Sequence, residues 1–451
     1  MTNYDVIEAY VEDFTNWNYV KARGVATISQ HKFIITECIL KGLSIVEDIQ
    51  EPYSNLTVRI IGITDNQEVL ITDYVNGKYQ IINTITEDGI YTIEDRHHFV
   101  GFGCNFVGTC NITIEQLPTS ILKDYSGNKH DAYLYGFKGR LNSGVGIYAQ
   151  DFTKWIFGSA IHNISTKAHN KLHIVKKNPN NYFGYTIGIQ KANYYNKPYK
   201  LKFNFNKEID DINFSVVSTD GNLITTQCFS AIINNGSVVD VPIISEEIFN
   251  NQKEPNIYYD FGTNKDIEID VELIPDYPNQ LCYDGKSYAV AYGLPILTDY
   301  TVIADRTWFA EKVDNGVFMS KALEQNGAFI LEYKQGDKWN TYSYYSATNI
   351  NIDKDNSIVY QTKNKYNEQT IYPGDKQDTD TLFIGTIRKD DSRSFIGCHG
   401  DILLFNRTLT DDELSVIKEV VFGISDIKDA LLTVDKKYIK LNDNNYIKLN
   451  K

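Results

Sequence analysis

The sequence lacks several features that would point to common protein classes. Methionine occurs only 2 times in 451 residues, and stretches rich in alanine and leucine, which favour helices, are nearly absent. No uninterrupted apolar run approaches the length of a membrane span, so membrane insertion is not expected. Lysine and arginine do not cluster and the net charge is −14, which disfavours a nucleic-acid groove.

Signatures of catalysis, of metal binding and of secretion are also missing. No HExxH, Walker A, GxSxG or GxGxxG motif occurs, so we expect no enzyme. The six cysteines include no CxxC pair, which argues against a zinc site and favours free thiols packed as small apolar groups. The first residues are acidic where a signal peptide is basic, so we expect the chain to fold in a cytoplasm.

What is abundant is aromatic: 32 tyrosines and 22 phenylalanines, which suit the half-buried surface of a sheet. The length predicts two to four domains. Apolar residues at helical spacing predict a helix over residues 4–20, within an assembly arm at 1–22. From about Val25 the apolar period becomes two, and turn signals recur, which predicts an antiparallel β-sandwich over 23–118.

A second segment, 161–275, has the same character and predicts a second sandwich. The two segments close alike, with ITIEQLP ending at Pro118 and IDVELIP ending at Pro275. LTVRIIGITDNQEV in the first segment is also similar to INFSVVSTDGNLI in the second. We interpret the pair as an internal duplication.

Three further motifs occur in a fixed order: DYSGNKHDAYLYGF from Asp124, LCYDGKSYAV from Leu281, and GDILLFNRTLTDDEL from Gly400. Together they resemble the laminin-G type of concanavalin-A-like jelly roll. The resemblance implies one such domain over 119–160 and 276–422, with the second sandwich inserted. The fold class we expect is therefore all-β, with several β-sandwiches that include an interrupted jelly roll.

The carboxyl-terminal part carries two local predictions. Thr410 and Glu413 form a capping-box pattern, and Leu409 and Leu414 flank it, so we expect a short helix over 411–421. Within the tail at 423–451, the repeated YIKLN segments, separated by Asp-Asn-Asn, predict a hairpin.

One strand carries the only candidate for catalysis. Glu268, Asp270 and Glu272 lie on one face of a predicted strand, and this spacing resembles the catalytic strand of family-16 glycoside hydrolases. In that family the first Glu is the nucleophile, the Asp assists it and the last Glu is the acid/base. The preferred interpretation is a solvated polar face, because the matching strand of the first sandwich is also polar.

Other side chains are candidates for ligand binding. Trp339, Tyr342, Tyr344 and Tyr345 form the densest aromatic cluster, which could stack on sugar rings or pack across strands. No metal ligand is predicted outright, but calcium is an alternative at a rim of acids, which laminin-G-like domains often have: Asp375, Asp378 and Asp380. His97 and His98 are adjacent, and we interpret them as part of a surface turn.

The whole arrangement resembles structural proteins of tailed phages of gut Bacteroidetes, the crAss-like phages among them. The resemblance implies a virion protein assembled in the host cytoplasm, first of all a capsid-attached head fibre or decoration. A tail or baseplate fibre and a carbohydrate-binding module are the alternatives, beside the glycoside hydrolase. The expected partners are copies of the chain in a dimer or trimer, capsid or other virion proteins, and cell-surface glycans.

Overall fold

The computed structural model describes most of the chain between residues 18 and 448. The described residues are 18–19, 24–29, 32–38, 42–48, 56–76, 78–94, 99–118, 120–137, 150, 152–155, 162–168, 170–176, 185–190, 194, 196–206, 211–219, 225–250, 256–262, 266–278, 280–309, 315–323, 325–389, 393–423, 438–442 and 445–448.

Strands dominate these residues. The strands before the second sandwich are β1 Asn18–Tyr19, β2 Gly24–Ser29, β3 Lys32–Cys38, β4 Gly42–Asp48, β5 Leu56–Ile61, β6 Val69–Val75, β7 Lys78–Ile85, β8 Gly89–Ile93, β9 Phe99–Cys104, β10 Gly108–Gln116, β11 Ile121–Leu122 and β12 Ala132–Tyr135. The second sandwich holds β13 His162–Ala168, β14 Lys171–Lys176, β15 Tyr185–Gln190, β16 Tyr199–Phe205, β17 Ile212–Thr219, β18 Thr225–Ile233, β19 Val238–Val241, helix α1 Glu246–Asn250, β20 Asn256–Gly262 and β21 Ile267–Ile274.

The remaining elements complete the chain. They are β22 Leu281–Asp284, β23 Tyr288–Ala291, β24 Thr301–Trp308, β25 Val317–Leu323, β26 Asn326–Gln335, β27 Lys338–Ser343, β28 Ser346–Ile350, β29 Ile358–Thr362, β30 Lys365–Tyr366, β31 Gln369–Thr370, β32 Leu382–Ile384, β33 Ile396–Phe405, helix α2 Asp411–Phe422, β34 Tyr438–Asn442 and β35 Asn445–Lys448.

The first sandwich consists of two five-stranded sheets, with the orders β1-β4-β9-β6-β7 and β2-β3-β10-β5-β8. Alternation builds its core, because successive side chains of a strand point to opposite faces. Leu56, Val58 and Ile60 of β5 are all fully buried, and they share one core with Phe33 of β3 and Phe102 of β9.

The second sandwich has the strand order of the first. Its sheets are β13-β14-β21-β16-β19 and β15-β20-β17-β18, so β2 to β10 correspond one by one to β13 to β21. This shared topology agrees with the predicted duplication and pairs the two closing strands, β10 and β21. It corrects one alignment, because Leu56–Ile61 corresponds to β16, whereas the INFSVVST segment forms β17, the counterpart of β6.

The jelly-roll segment packs two sheets face to face. One has the order β22-β33-β24-β29-β30-β31, and the other contains the row β32-β25-β26-β27-β28. Helix α2 covers the outer face of the six-stranded sheet, because Leu414 and Ile417 share a buried cluster with Ile303, Ile358 and Tyr360. The outer face of β25, β26 and β27 has no helix over it among the described residues, and it carries the candidate site discussed below.

Helix α2 confirms the prediction made from its capping pattern. The Thr410 hydroxyl accepts a hydrogen bond from the Glu413 backbone N–H, and the Glu413 carboxylate accepts one from the Thr410 N–H. Gly423, at φ 71°, ends the helix in the left-handed conformation, which glycine adopts without strain.

The all-β fold class with a carboxyl-terminal hairpin is confirmed, since β34 and β35 pair with each other. The helix predicted over 4–20 is wrong at its end, because Asn18 and Tyr19 pair with β4 as strand β1; residues 1–17 lie outside the described residues. The predicted domain boundaries stay predictions.

The described residues divide into two compact units. One comprises those within 8–136 and 289–293, and the other those within 137–288 and 294–451. No helix among the described residues is long and apolar enough to cross a membrane.

Candidate functional site

The three acids of strand β21 lie on its half-exposed face, opposite a core face that is fully buried. The neighbouring strands place a cation or an amide beside each of them. In register, Glu272 lies between Lys171 of β14 and Lys202 of β16, and Asp270 lies between His173 and Asn204. The acids are therefore part of a cross-strand ladder of polar partners, in which Glu272 faces two cations, an arrangement that stabilises sheets.

The distances confirm these pairings. His173 Nδ1 lies 2.6 Å from Asp270 Oδ1, and its Nε2 lies 3.7 Å from Glu268 Oε1. Asn206 donates its amide to Glu268 Oε1 at 3.0 Å, and Lys171 Nζ lies 3.6 Å from Glu272 Oε1. Each acid is thus held by a neighbour on an adjacent strand or in the turn that follows it.

The contacts of Glu268 and Glu272 agree with a solvated polar face, which is the preferred interpretation of this strand. Strand β21 pairs with both neighbours without a bulge, so Glu268 and Glu272 are four regular strand residues apart, about 13 Å between Cα atoms. Glu268 binds Asn206 and Glu272 faces Lys171, so their side chains are held at opposite ends of the ladder.

The first sandwich repeats part of this ladder. Glu115 on β10 lies in register between Lys32, the first residue of β3, and Arg59, the fourth residue of β5. Glu272 lies between the first residue of β14 and the fourth residue of β16. A glutamate between two cations therefore belongs to the shared scaffold, whereas His173, Glu268 and Asp270 are peculiar to the second sandwich.

The aromatic cluster predicted from the sequence splits between two sides of a sheet. Thr341 donates to Gln361 of the facing sheet, so the side chains of alternate residues Trp339, Thr341 and Ser343 lie inside the sandwich. Trp339 packs against Trp308 with ring centroids 4.9 Å apart. Tyr344 is also internal, since its hydroxyl donates to the Leu297 carbonyl. Trp339 and Tyr344 therefore pack in the interior of the jelly roll.

Tyr342 and Tyr345 lie on the opposite, outer side, and a third tyrosine joins them. The ring of Tyr342 is 6.2 Å from that of Tyr345 and 6.1 Å from that of Tyr333. We call Tyr333, Tyr342 and Tyr345 the tyrosine face. Tyr333 and Tyr342 pack on a floor of buried apolar side chains that includes Val317 and Ile330.

Sequence reasoning missed Tyr333 because a β-bulge decides its direction. Strict alternation from Ile330, which faces outward, would turn Tyr333 inward. The register between β26 and β27 shifts between Ile330 and Tyr333, which adds one residue to β26. Glu332, in this bulge, has φ 57°, and the residue after it points outward. No signal in the residue pattern marks this insertion.

The turn that presents Tyr345 is strained. Tyr344 and Tyr345 form the two-residue connection between β27 and β28, with φ 44° and 66°. Such a turn normally holds Asn-Gly, because bulky residues rarely adopt positive φ. Gly374, in the loop between β31 and β32, lies against this turn. A Cβ there would be 2.4 Å from the Tyr344 carbonyl oxygen, so only glycine allows the two segments to approach this closely. Strain of this kind clusters at binding sites.

Polar groups border the tyrosine face. The Tyr333 hydroxyl donates to Asn315 Oδ1 at 3.3 Å. Burial raises the pKa of Tyr342, and Tyr333 and Tyr345 raise it further, whereas the nearby Arg393 guanidinium lowers it. The face therefore combines aromatic rings, hydroxyls and a cation, the groups with which proteins bind uncharged or acidic sugars.

The acids considered for calcium do not form one site. Asp378 is buried and accepts hydrogen bonds from the Leu297 and Ala328 backbone N–H groups, and its charge is matched by Lys321. Asp375 and Asp380 are exposed. Among the described residues, no three His, Cys, Asp or Glu side chains converge as metal ligands would. An ammonium group takes the place beside Asp378 that a cation would occupy.

A buried polar network inside the jelly roll was also not predicted. Glu332 is fully buried and accepts hydrogen bonds from Arg306, Trp308 and Tyr366. Arg306 lowers the pKa of Glu332, although burial alone would raise it. All four side chains lie between the two sheets and satisfy one another, so the network is a structural one. His97 and His98 lie outside the described residues.

Comparisons with known proteins do not identify a family or a function for this chain. No protein-family model matches the chain, and no curated protein is similar to it. A crystal structure from Parabacteroides distasonis ATCC 8503, of a protein provisionally described as secreted, matches 59% of this chain and 97% of that chain, with 7% identity and a TM-score of 0.13. That TM-score is too low to support an argument about fold or function.

Proposed function

We propose that this chain is a non-catalytic binding protein whose jelly roll holds a saccharide on the tyrosine face. The observation that carries the proposal is the geometry of that face. The rings of Tyr342 and Tyr345 lie side by side on the outside of a sheet, with the buried ring of Tyr333 packed behind Tyr342. A strained turn holds the outermost ring, that of Tyr345, which is 37% exposed. A turn with no binding role would more easily be built from Asn and Gly.

A sugar ring suits this surface for chemical reasons. The C–H groups of a pyranose form an apolar patch that packs on the face of an aromatic ring, and its hydroxyls bond to polar groups at the edge. The tyrosine hydroxyls and the Arg393 guanidinium would supply those bonds. One open face of this size binds weakly, so strong adhesion would require several copies of the chain held together.

The setting we propose is a virion, where the chain would form a head fibre or capsid decoration assembled in the bacterial cytoplasm. The support is the sequence resemblance to structural proteins of crAss-like phages and the all-β architecture of stacked sandwiches. Copies of the chain would associate as a dimer or trimer, and the hairpin β34–β35 is a candidate contact, since an isolated hairpin is marginal in water.

Binding can be tested with the full chain on an array of bacterial and mucosal glycans. We expect Tyr342→Ala and Tyr345→Ala to raise the Kd of the glycans that bind by at least about tenfold, the size typical of a central aromatic contact. Tyr125→Ala is the matched control, because Tyr125 is 63% exposed and lies in a different unit. Circular dichroism would show that each variant folds.

Two results would contradict the proposal. One is unchanged binding in both variants of the tyrosine face while Tyr125→Ala reduces it. The other is the absence of any glycan ligand for the assembled oligomer. Light scattering of the full chain and of a chain truncated after residue 437 tests the assembly part separately, and we expect the truncation to lower the oligomer mass.

A further inference from the structure

Two cysteines face each other at the edge of the six-stranded sheet of the jelly roll. Strand β22 is the first strand of that sheet and pairs with β33. In their register Cys282 lies directly opposite Cys398. Both side chains are fully buried, and the two thiols are in hydrogen-bond contact. Cys398 also donates to Gln280 Oε1 at 2.6 Å.

This placement matches the geometry of a disulfide. Residues directly opposite in an antiparallel pair have Cα atoms about 4.5–5.5 Å apart. Disulfides join cysteines whose Cα atoms are about 4.4–6.8 Å apart. Because the two thiols already touch, a bond between them requires rotation of the side chains and no movement of the strands.

We propose that Cys282 and Cys398 form a cross-strand disulfide when the protein meets an oxidising thiol–disulfide couple, independently of the proposed function. Glutathione disulfide serves as the oxidant. One cysteine thiolate attacks its S–S bond and forms a mixed disulfide, which releases one glutathione thiolate. The second cysteine thiolate then attacks the protein sulfur of that mixed disulfide and releases the other. Two protein thiols are oxidised, one glutathione disulfide is reduced, and the two protons pass to the glutathione thiolates.

Burial controls when the reaction occurs. Desolvation raises the pKa of Cys398, so the thiolate is scarce in the folded protein and exchange is slow. Since β22 pairs with one strand only in the part of the chain that the structure describes, local opening of this edge is the route by which the oxidant reaches the pair. Bond formation during folding, before the pair is buried, is faster.

A second pair of cysteines lacks this cross-strand arrangement. The thiols of Cys38 and Cys104 also touch, but these residues lie on the two facing sheets of the first sandwich. No strand register fixes the Cα separation of that pair, whereas the register of β22 and β33 fixes it for Cys282 and Cys398.

Peptide mapping of the full chain tests the inference. The protein is refolded with reduced and oxidised glutathione, denatured, alkylated and digested without reductant. We expect a peptide pair joined through Cys282 and Cys398 that disappears when reductant is added. Cys282→Ala removes the linked pair, and Cys228→Ala leaves it unchanged, because Cys228 lies in the second sandwich.

Thermal unfolding gives a second, independent measurement. A bond that closes a loop of more than 100 residues should raise the unfolding temperature of the jelly roll by about 5 °C or more. The Cys282→Ala/Cys398→Ala protein should show no such difference between oxidised and reduced samples. Complete alkylation of both cysteines after oxidative refolding overturns the inference, whatever the variants do.

Discussion

The two sandwiches share the order of nine strands but differ in where they place polar groups. The core of the first sandwich contains leucine and cysteine side chains, whereas the core of the second contains tyrosines. For example, Leu56 begins β5, and Tyr199 begins the corresponding strand β16. In the second, the hydroxyls of Tyr194 and Tyr259 both donate to that of Tyr199. The topology therefore depends on the alternation of apolar residues, and it tolerates different chemistry within that pattern.

Their outer faces differ in the same way. Both carry a glutamate between two cations, but Glu115 is 4% exposed whereas the side chain of Glu272 is 36% exposed. Only the second sandwich adds Glu268, Asp270 and His173 to that glutamate. The acids that resemble a catalytic strand therefore extend a feature that both sandwiches share, and the exposure of each acid should set how much it contributes to stability.

The largest loss of stability is expected for Glu332, an acid that is fully buried and therefore marks the upper limit for the acids of the two sandwiches. Glu332→Gln in the jelly roll should lower the free energy of unfolding of that domain by about 3–5 kcal/mol, because Arg306 is left as a buried charge without its counterion. Urea denaturation measures this value. A loss below about 1 kcal/mol would mean that water reaches Arg306.

Tyr199→Phe should have the next largest effect, because it removes the acceptor of two buried hydroxyls. We expect a loss of about 2–4 kcal/mol in the second sandwich. The double change Tyr199→Phe/Tyr259→Phe imitates the first sandwich more closely and should cost less than the sum of the single changes. Additive losses in urea denaturation would show that the hydroxyls do not depend on one another.

The two equivalent glutamates should differ in proportion to their burial. Glu115→Gln should lower the free energy of unfolding by about 2 kcal/mol, since its carboxylate is buried on a rung shared with Lys32 and Arg59. The same change at Glu272 should cost at most about 1 kcal/mol, as is usual for exposed ion pairs. Equal losses would break the proposed equivalence of the two ladders.

The smallest effect is expected for the acids that only the second sandwich carries. Glu268→Gln and Asp270→Asn should each change the free energy of unfolding by less than about 1 kcal/mol, because both side chains are substantially exposed. Incubation of these variants and the wild type with β-glucans tests catalysis directly. Turnover by the wild type that Glu268→Gln abolishes would refute a purely structural role.

Much of the fold could be predicted from the sequence because its signals are local. The alternation in Tyr199, Leu201 and Phe203 gave a strand with one buried face, and the Thr410–Glu413 pattern gave a capped helix. The two similar closing segments indicated the duplication. The helix predicted over 4–20 failed at Asn18 and Tyr19, because pairing with β4 outweighs helical spacing there.

The candidate site could be predicted only in part. The aromatic cluster was recognised from its density, but density does not tell which rings face the core. Trp339 and Tyr344 point inward, Tyr342 and Tyr345 point outward, and a single bulge at Glu332 adds Tyr333 to the outer group. A shift of one residue reverses every side chain of a strand, and the residue pattern does not record such a shift.

By itself, the sequence determined the all-β class, the segments that become strands and the cap of α2, since each depends on neighbouring residues. The tertiary structure alone decided which acids meet cations, which tyrosines share a face and which cysteines touch. Those contacts join residues tens to more than a hundred positions apart, and only strand register and sheet packing bring them together.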